Sequence, residues 1–198
     1  GMEVRAGPPV EVGPAAVVTL LSNQIGRRPE GDAPLQVGPT GLAGAARPSG
    51  MRVPSLRGLR DEEGRAVAAP TGLAVFTFVY ATCNDTCPIQ VAQIRGALDD
   101  LEEDVPVFAV SVDPVNDTAR AAKRFLVKES MLGRMRFVLG NEQSLLPVWR
   151  AFGIAPQRDG REHSAYTVVV DDGRQWAGFP AAQLTPEALL HDLRVLRR

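Results

Sequence analysis

Apolar and polar residues follow one another in blocks along this chain, and the longest apolar block sets the pattern for the rest. Leu73 to Tyr80 is a continuous run of aliphatic, β-branched and aromatic residues. Such a run is typical of a central strand that is buried on both faces. After it, Asp85 or Thr86 can cap a helix, and Pro88 falls in the first turn of that helix, where its missing N–H costs nothing. The pattern therefore predicts a strand followed at once by a helix.

The same alternation continues toward the C-terminus. Beyond the first helix, the pattern predicts strands at 105–112, 136–139 and 165–170 and helices that begin at Thr118, Asn141 and Thr185. We expect the Thr118 helix to end at Lys128, with either Leu126 or Val127 on its inner side. Residues 171–174 have the composition of a hairpin turn and pair the strand before them with a strand near Trp176.

The first fifty residues differ from the rest because proline and glycine recur throughout them. This composition disfavours long regular elements, so residues 1–50 are predicted to be an irregular N-terminal extension with one apolar patch, 15–21, that suits an edge strand. Residues 51–56 and 65–68 flank the polar segment 61–64 and predict a short hairpin. The main domain is therefore expected to span residues 51–198.

The order of these elements defines the expected fold. A strand, a helix and a second strand in sequence imply a right-handed parallel crossover. An antiparallel hairpin and a closing helix follow. The predicted fold is α/β and thioredoxin-like, with a central mixed sheet flanked by helices, an N-terminal hairpin and the irregular extension.

Charge and hydropathy exclude two classes of partner. The chain has 22 basic and 23 acidic residues, a net charge of −1. The two signs are mixed along the chain, which argues against binding to nucleic acid or to an anionic membrane surface. No apolar run reaches about 18 residues, the length that a transmembrane helix needs.

The candidate chemistry lies in the loop between the central strand and its helix. Cys83 and Cys87 are the chain's only cysteines. They stand four residues apart in a polar loop near the positive end of a helix dipole, a placement that favours a thiolate. Their spacing permits a disulfide and equally permits two sulfur ligands to one metal ion. In the predicted layout, the loop before the late hairpin returns beside them, so His163 should face the pair.

Three segments together resemble the Sco/SenC family. They are Thr82-Cys83-Asn84-Asp85-Thr86-Cys87-Pro88, Asp113-Pro114-Val115-Asn116-Asp117-Thr118 and His163-Ser164. The resemblance covers about residues 51–198. It implies a thioredoxin-like domain that binds one copper ion through Cys83, Cys87 and His163. Two thiolates and an imidazole suit Cu(I) and tolerate Cu(II), whereas structural zinc would require a fourth protein ligand.

The family resemblance also implies a function. We expect a copper metallochaperone that assists assembly of the binuclear copper site in a subunit of cytochrome c oxidase. It would act outside the cytoplasm, in the periplasm or on the outer face of a membrane, tethered there by an anchor that this chain does not contain. Asp113 is a candidate partner of the metal ligands, although turn formation also accounts for it.

Other hypotheses remain open on the sequence alone. In a thiol–disulfide oxidoreductase acting on the cysteines of the copper-site subunit, Cys83 would attack and Cys87 would resolve. A peroxide-reducing enzyme on the same fold is a third hypothesis, but this chain lacks the Thr-x-x-Cys site with a nearby arginine that such an enzyme would need. An assembly factor without metal chemistry would bind its partner through the extension at residues 2–50.

Overall fold

The computed structural model describes residues 35–38, 40–157 and 164–197, and these contain six strands and four α-helices. The strands are β1 (Ala45–Ala46), β2 (Ala74–Val79), β3 (Val107–Ser111), β4 (Met135–Val138), β5 (Tyr166–Asp171) and β6 (Arg174–Pro180). The helices are α1 (Thr86–Asp99), α2 (Ala119–Lys128), α3 (Glu142–Phe152) and α4 (Pro186–Leu196), with a short 3-10 turn at Ala181–Gln183. The apolar patch at 15–21 lies outside the described residues.

The strands form one mixed sheet in the order β1-β6-β5-β2-β3-β4. β2 pairs with β3, and β3 with β4, in parallel, whereas β5 is antiparallel to both β2 and β6. All six residues of β2 are buried. The predicted central strand, the parallel crossover and the late hairpin are therefore confirmed, as is the thioredoxin-like mixed sheet flanked by helices.

Helix ends follow the predicted caps. The side chains of Thr118, Asn141 and Thr185 accept hydrogen bonds from backbone N–H groups in the first turns of α2, α3 and α4. These bonds satisfy donors that have no partner within the helix. The hairpin turn between β5 and β6 has positive φ angles at Asp172 (48°) and Gly173 (67°), as a type I′ turn requires.

The N-terminal hairpin is shorter than expected. Segments 51–56 and 65–68 do not pair with each other as continuous strands. Arg52 forms a single β-bridge with Arg174 of β6, and Ala66 forms one with Arg60 across the turn. Pro54 lacks the N–H that a longer ladder would need. The carboxylate of the buried Asp61 holds the turn instead, because it accepts the backbone N–H groups of Glu63 and Arg65.

The edge strand β1 lies before Met51, in the segment expected to be irregular. Ala45 and Ala46 pair with Gly178 and Ala177 of β6. The adjoining residues Ala43 and Gly44 donate their N–H groups to the buried carboxylate of Asp192 in α4, at 2.6 and 2.9 Å. Two hydrogen bonds to Asp192 of α4 and a short ladder with β6 therefore hold this segment in place.

Each face of the sheet has its own apolar core. On one face, α1, α2 and α4 pack on β2 through residues that include Val91, Phe125 and Leu189. On the other face, α3 packs through Trp149 and Phe152, and Phe152 lies 5.0 Å from Phe76 between ring centroids. Burial on both faces holds the carboxyl end of β2 rigidly, and the cysteine loop begins there.

None of the helices formed by the described residues is both long and apolar enough to cross a bilayer.

Candidate functional site

Both cysteines lie where β2 ends and α1 begins, as predicted. They are free thiols, and Cys83 is 2% exposed while Cys87 is fully buried. Cys87 is the second residue of α1, and its backbone N–H points to Sγ of Cys83 at 3.3 Å. A donor of the first helical turn is therefore directed at the sulfur of Cys83.

The surroundings of the pair favour a thiolate on one sulfur in particular. The pKa of Cys83 is lowered to about 6, chiefly because the Cys87 side chain hydrogen bonds to it, while burial acts in the opposite direction. The pKa of Cys87 is raised by that same hydrogen bond and by burial. Burial and a hydrogen bond with Cys83 also raise the pKa of the Tyr80 phenol. We therefore assign the thiolate to Cys83 and the retained proton to Cys87.

Asp85 fixes the conformation of the loop between the two cysteines. Its Oδ1 accepts the backbone N–H of Thr86 at 2.5 Å, which caps α1. The same oxygen lies 3.2 Å from Sγ of Cys83 and accepts the thiol proton when Cys83 is protonated. Release of that proton removes the bond, so the carboxylate opposes the thiolate that the Cys87 side chain favours.

Asp117 attaches the cysteine loop to the neighbouring strand. Its Oδ1 accepts the N–H of Ala81 at 2.7 Å, and its Oδ2 accepts the hydroxyl of Ser111 at 2.6 Å. The side chain is buried, and burial raises its pKa to about 6. The sequence alone marks Asp117 only as part of the segment Asp113–Thr118. Its place shortly after a buried strand was the signal that its side chain can reach back to that end of the sheet.

Asp113, the predicted partner of the metal ligands, hydrogen bonds within its own turn. Its two carboxylate oxygens accept Nδ2 of Asn116 at 3.1 and 2.8 Å. Turn formation thus accounts for these contacts, and a role of Asp113 beside the metal ligands stays a prediction.

A buried polar cluster that sequence analysis missed lies behind the cysteines. Nε2 of Gln90 donates to the hydroxyls of Thr77 in β2 and Thr167 in β5, at 2.6 and 2.9 Å. These two hydroxyls are themselves 3.1 Å apart. Gln90 follows Cys87 by three residues, so it lies on the same face of α1. A polar residue three positions after Cys87, on a helix face expected to be buried, was the signal in the sequence for this cluster.

His163, the third predicted ligand, lies outside the described residues, so its relation to the cysteines is untested. Among residues 35–38, 40–157 and 164–197, no three His, Cys, Asp or Glu side chains group as a metal site would require. The described chain resumes at Ser164, whose hydroxyl accepts the N–H of Ala155 at 3.1 Å. β5 then starts beside the carboxyl end of β2, because Thr167 pairs with Thr77.

Comparison with known proteins identifies the family. No curated protein sequence matches this chain. The SCO1/SenC family model matches residues 59–197, well over half of the chain. The chain belongs to the SCO1/SenC family. The predicted resemblance is thereby confirmed, and the matched range of this SCO1/SenC protein includes the cysteine loop, the Asp113–Thr118 segment and His163.

Solved structures show the same fold. ScoI from Bradyrhizobium japonicum, solved with copper bound, is 27% identical, with a TM-score of 0.58 over 70% of this chain and 95% of its own. ScoI from Arabidopsis thaliana, also copper-bound, is 17% identical, with a TM-score of 0.58 over 69% and 95%. A SCO1/SenC family lipoprotein from Bacillus anthracis is 16% identical, with a TM-score of 0.68 over 78% and 100%.

The geometry of the SCO1/SenC loop permits two kinds of chemistry. Two soft sulfur atoms in one short loop can bind a thiophilic metal ion. A thiolate beside a protonated thiol can also exchange with a disulfide. Both require the reduced pair that this structure contains.

Proposed function

We propose that this protein is a copper metallochaperone and that copper is its cargo. The observation that carries the proposal is the pair of free thiols, Cys83 and Cys87, at the start of α1 in a SCO1/SenC domain. Copper-bound relatives support it. The thiolate favoured at Cys83 supplies the soft, negatively charged ligand that Cu(I) prefers.

We propose His163 as the third ligand. β5 begins at the end of the sheet where β2 leads into the cysteine loop. This topology supports the proposal that His163, shortly before β5 in the sequence, approaches the sulfurs. A neutral imidazole is a common copper ligand. The remaining histidine, His191, places Nε2 2.9 Å from the carbonyl oxygen of Gly41. It therefore serves as a matched control.

The test is a Cu(I) titration of the reduced protein against a chromophoric chelator. Cys83→Ser, Cys87→Ser and His163→Ala should each weaken Cu(I) binding, by about 10-fold or more for a lost ligand. His191→Ala should bind like the wild type. Undiminished affinity in the three ligand variants would refute the proposal.

The recipient that we propose is the binuclear copper site in a subunit of cytochrome c oxidase. Cu(I) would pass to the recipient's ligands by ligand exchange, with no change of oxidation state. Alternatively, a disulfide of another protein would accept two electrons from Cys83 and Cys87 and be cleaved to two thiolates, and the resulting Cys83–Cys87 disulfide would release the ion. Delivery at this site implies a location outside the cytoplasm. The lipoprotein relative supports a membrane-tethered form. To test this step, the copper-loaded protein is mixed with the purified, reduced copper-site domain. The absorption spectrum of that domain then reports whether copper has been transferred to it.

A second candidate function is thiol–disulfide exchange on the cysteines of that same subunit. It is favoured by the lowered pKa of Cys83, which makes this sulfur the nucleophile. The Cys83 thiolate would attack one sulfur of the partner disulfide, form a mixed disulfide and release the other sulfur as a thiolate. Cys87 would then lose its proton, attack Cys83 and release the second partner thiol. The dithiol is oxidised and the partner disulfide is reduced, a transfer of two electrons.

The two functions separate in one experiment. Cys87→Ser should trap the mixed disulfide with an oxidised peptide from the copper-site subunit if exchange occurs. His163→Ala should leave exchange intact while it weakens copper binding. Failure of the wild type to reduce that peptide would exclude the exchange function.

A further inference from the structure

A groove beside the cysteine loop has a composition that the proposed chemistry does not explain. Its volume is about 770 Å³. Thr82 and Asn84, the residues on either side of Cys83, line one part of it, and helix α2 supplies most of the remainder. We call this feature the α2 groove. Its lining from α2 comprises Ala119, Arg120, Ala121, Lys123, Arg124, Phe125, Val127 and Lys128.

The α2 groove is strongly positive within a nearly neutral chain. Arg120, Lys123, Arg124 and Lys128 are all exposed and all line it, although the whole protein has a net charge of −1. In the part of the chain that the structure describes, no carboxylate pairs with Arg120, Lys123 or Arg124. Lys128 lies 3.8 Å from Glu129.

One acidic residue also lines the groove, and its charge is partly engaged elsewhere. Glu62 is 7% exposed, and its Oε2 accepts the backbone N–H of Phe137 at 2.8 Å. Four cations against this one carboxylate leave the lining with an excess of positive charge. A field of one sign in a concave surface attracts a partner of the opposite sign and speeds its association.

Apolar surface accompanies the charge. Val127 is 58% exposed, although the helical pattern offered it as an inward-facing residue beside Leu126, which is buried. Phe125 and three alanines add apolar atoms to the lining. An exposed apolar side chain among cations on a concave surface fits a partner that inserts an apolar side chain and surrounds it with carboxylates.

We propose that the α2 groove docks an acidic segment, with at least one apolar anchor residue, of the protein that exchanges copper or electrons with Cys83. This inference rests on the proposed function for the partner's role, because Thr82 and Asn84 connect the groove to the cysteine loop. A protein segment is favoured over an anionic bilayer, because a membrane surface cannot enter a concave groove. Docking there holds the partner's own ligands beside the sulfur pair.

The test compares two charge reversals. Arg124→Glu reverses a cation of the groove. Arg150→Glu reverses an exposed arginine of α3, which packs on the opposite face of the sheet. The probes are a fluorescein-labelled peptide of glutamates around one leucine, its lysine counterpart, a version with serine in place of leucine, and phosphatidylglycerol vesicles. Fluorescence anisotropy reports peptide binding, and circular dichroism confirms that each variant is folded.

The glutamate–leucine peptide should bind the wild type and weaken as salt rises toward about 0.15 M, where charges are screened beyond about 8 Å. Arg124→Glu should weaken binding about 5-fold or more, because one contact turns from attraction to repulsion, while Arg150→Glu should change it little. The serine peptide should bind more weakly than the leucine peptide, and the lysine peptide should not bind.

Three results would overturn the proposal. They are no binding of the glutamate–leucine peptide, equal effects of the two reversals, and capture of vesicles without capture of the peptide. Cu(I) affinity is measured on the same variants and should be equal in all of them. If the wild type binds the glutamate–leucine peptide but not Cu(I), the proposed function is refuted and the groove proposal stands. If the wild type binds Cu(I) but not the peptide, only the groove proposal is refuted.

Discussion

Replacement of Asp117 by asparagine should make the protein more stable at neutral pH and flatten its pH dependence. Asp117 is a buried carboxyl group whose pKa is raised to about 6 from an ordinary value of 3.8. Asparagine keeps an oxygen that can accept the N–H of Ala81, so the attachment of the cysteine loop is preserved. The substitution removes the charge that burial penalises.

The magnitude follows from the pKa difference. A group whose pKa is higher in the folded state than in the unfolded state binds protons preferentially in the folded state. Its contribution to stability is therefore fully present below about pH 4 and is lost as the pH rises through about 6. A difference of about two pH units corresponds to about 3 kcal/mol. The free energy of unfolding of Asp117→Asn should gain about that much relative to the wild type between pH 4 and pH 7.

Urea unfolding of reduced protein at several pH values between 4 and 8 measures this difference. Ser111→Ala provides a control that keeps the Asp117 carboxyl group but removes a hydrogen bond to it. The Ser111 hydroxyl lowers the pKa of Asp117. Its loss should move the pH-dependent transition to higher pH. Parallel stability curves for wild type and Asp117→Asn across the whole range would refute the reasoning.

Two further predictions concern the cysteine pair and the edge of the sheet. In Cys87→Ala, the pKa of Cys83 should rise above about 6 because the largest cause of its lowering is removed, and the thiolate absorbance in the ultraviolet should then titrate at higher pH; an unchanged midpoint would contradict this. Asp192→Ala should destabilise the protein by about 1–3 kcal/mol, because the N–H groups of Ala43 and Gly44 lose a buried acceptor. Hydrogen exchange at those two amides should accelerate, and protection equal to that of the wild type would show that the carboxylate does not hold this segment.

The parts of the fold that the sequence predicted are those in which local signals agree with the tertiary structure. Around the cysteines, an unbroken apolar run, a cap at Asp85 and a proline in the first turn all indicate the same strand-to-helix junction. The position of Cys83 and Cys87 at this junction could therefore be predicted from the sequence. Buried helix faces followed from spacing alone, since Leu145, Val148 and Phe152 recur at intervals of three and four residues and all are buried.

Features that depend on contacts distant in sequence were not predictable from local patterns. β1 has only two residues. It forms because it pairs with β6 and because Asp192 accepts a hydrogen bond from the adjoining Ala43. The bond from Ala81 to Asp117 joins residues 36 positions apart. Val127 was one of two inward-facing candidates, and packing against the sheet, which the periodicity does not specify, selected Leu126.

We propose that copper binds to Cys83, Cys87 and His163, and the X-ray absorption spectrum of the Cu(I)-loaded, reduced protein reports these ligands. We predict sulfur and nitrogen neighbours in a ratio of two to one in the wild type and in His191→Ala, with the nitrogen contribution lost in His163→Ala. A nitrogen contribution that persists in His163→Ala, or a single sulfur neighbour in the wild type, would contradict it.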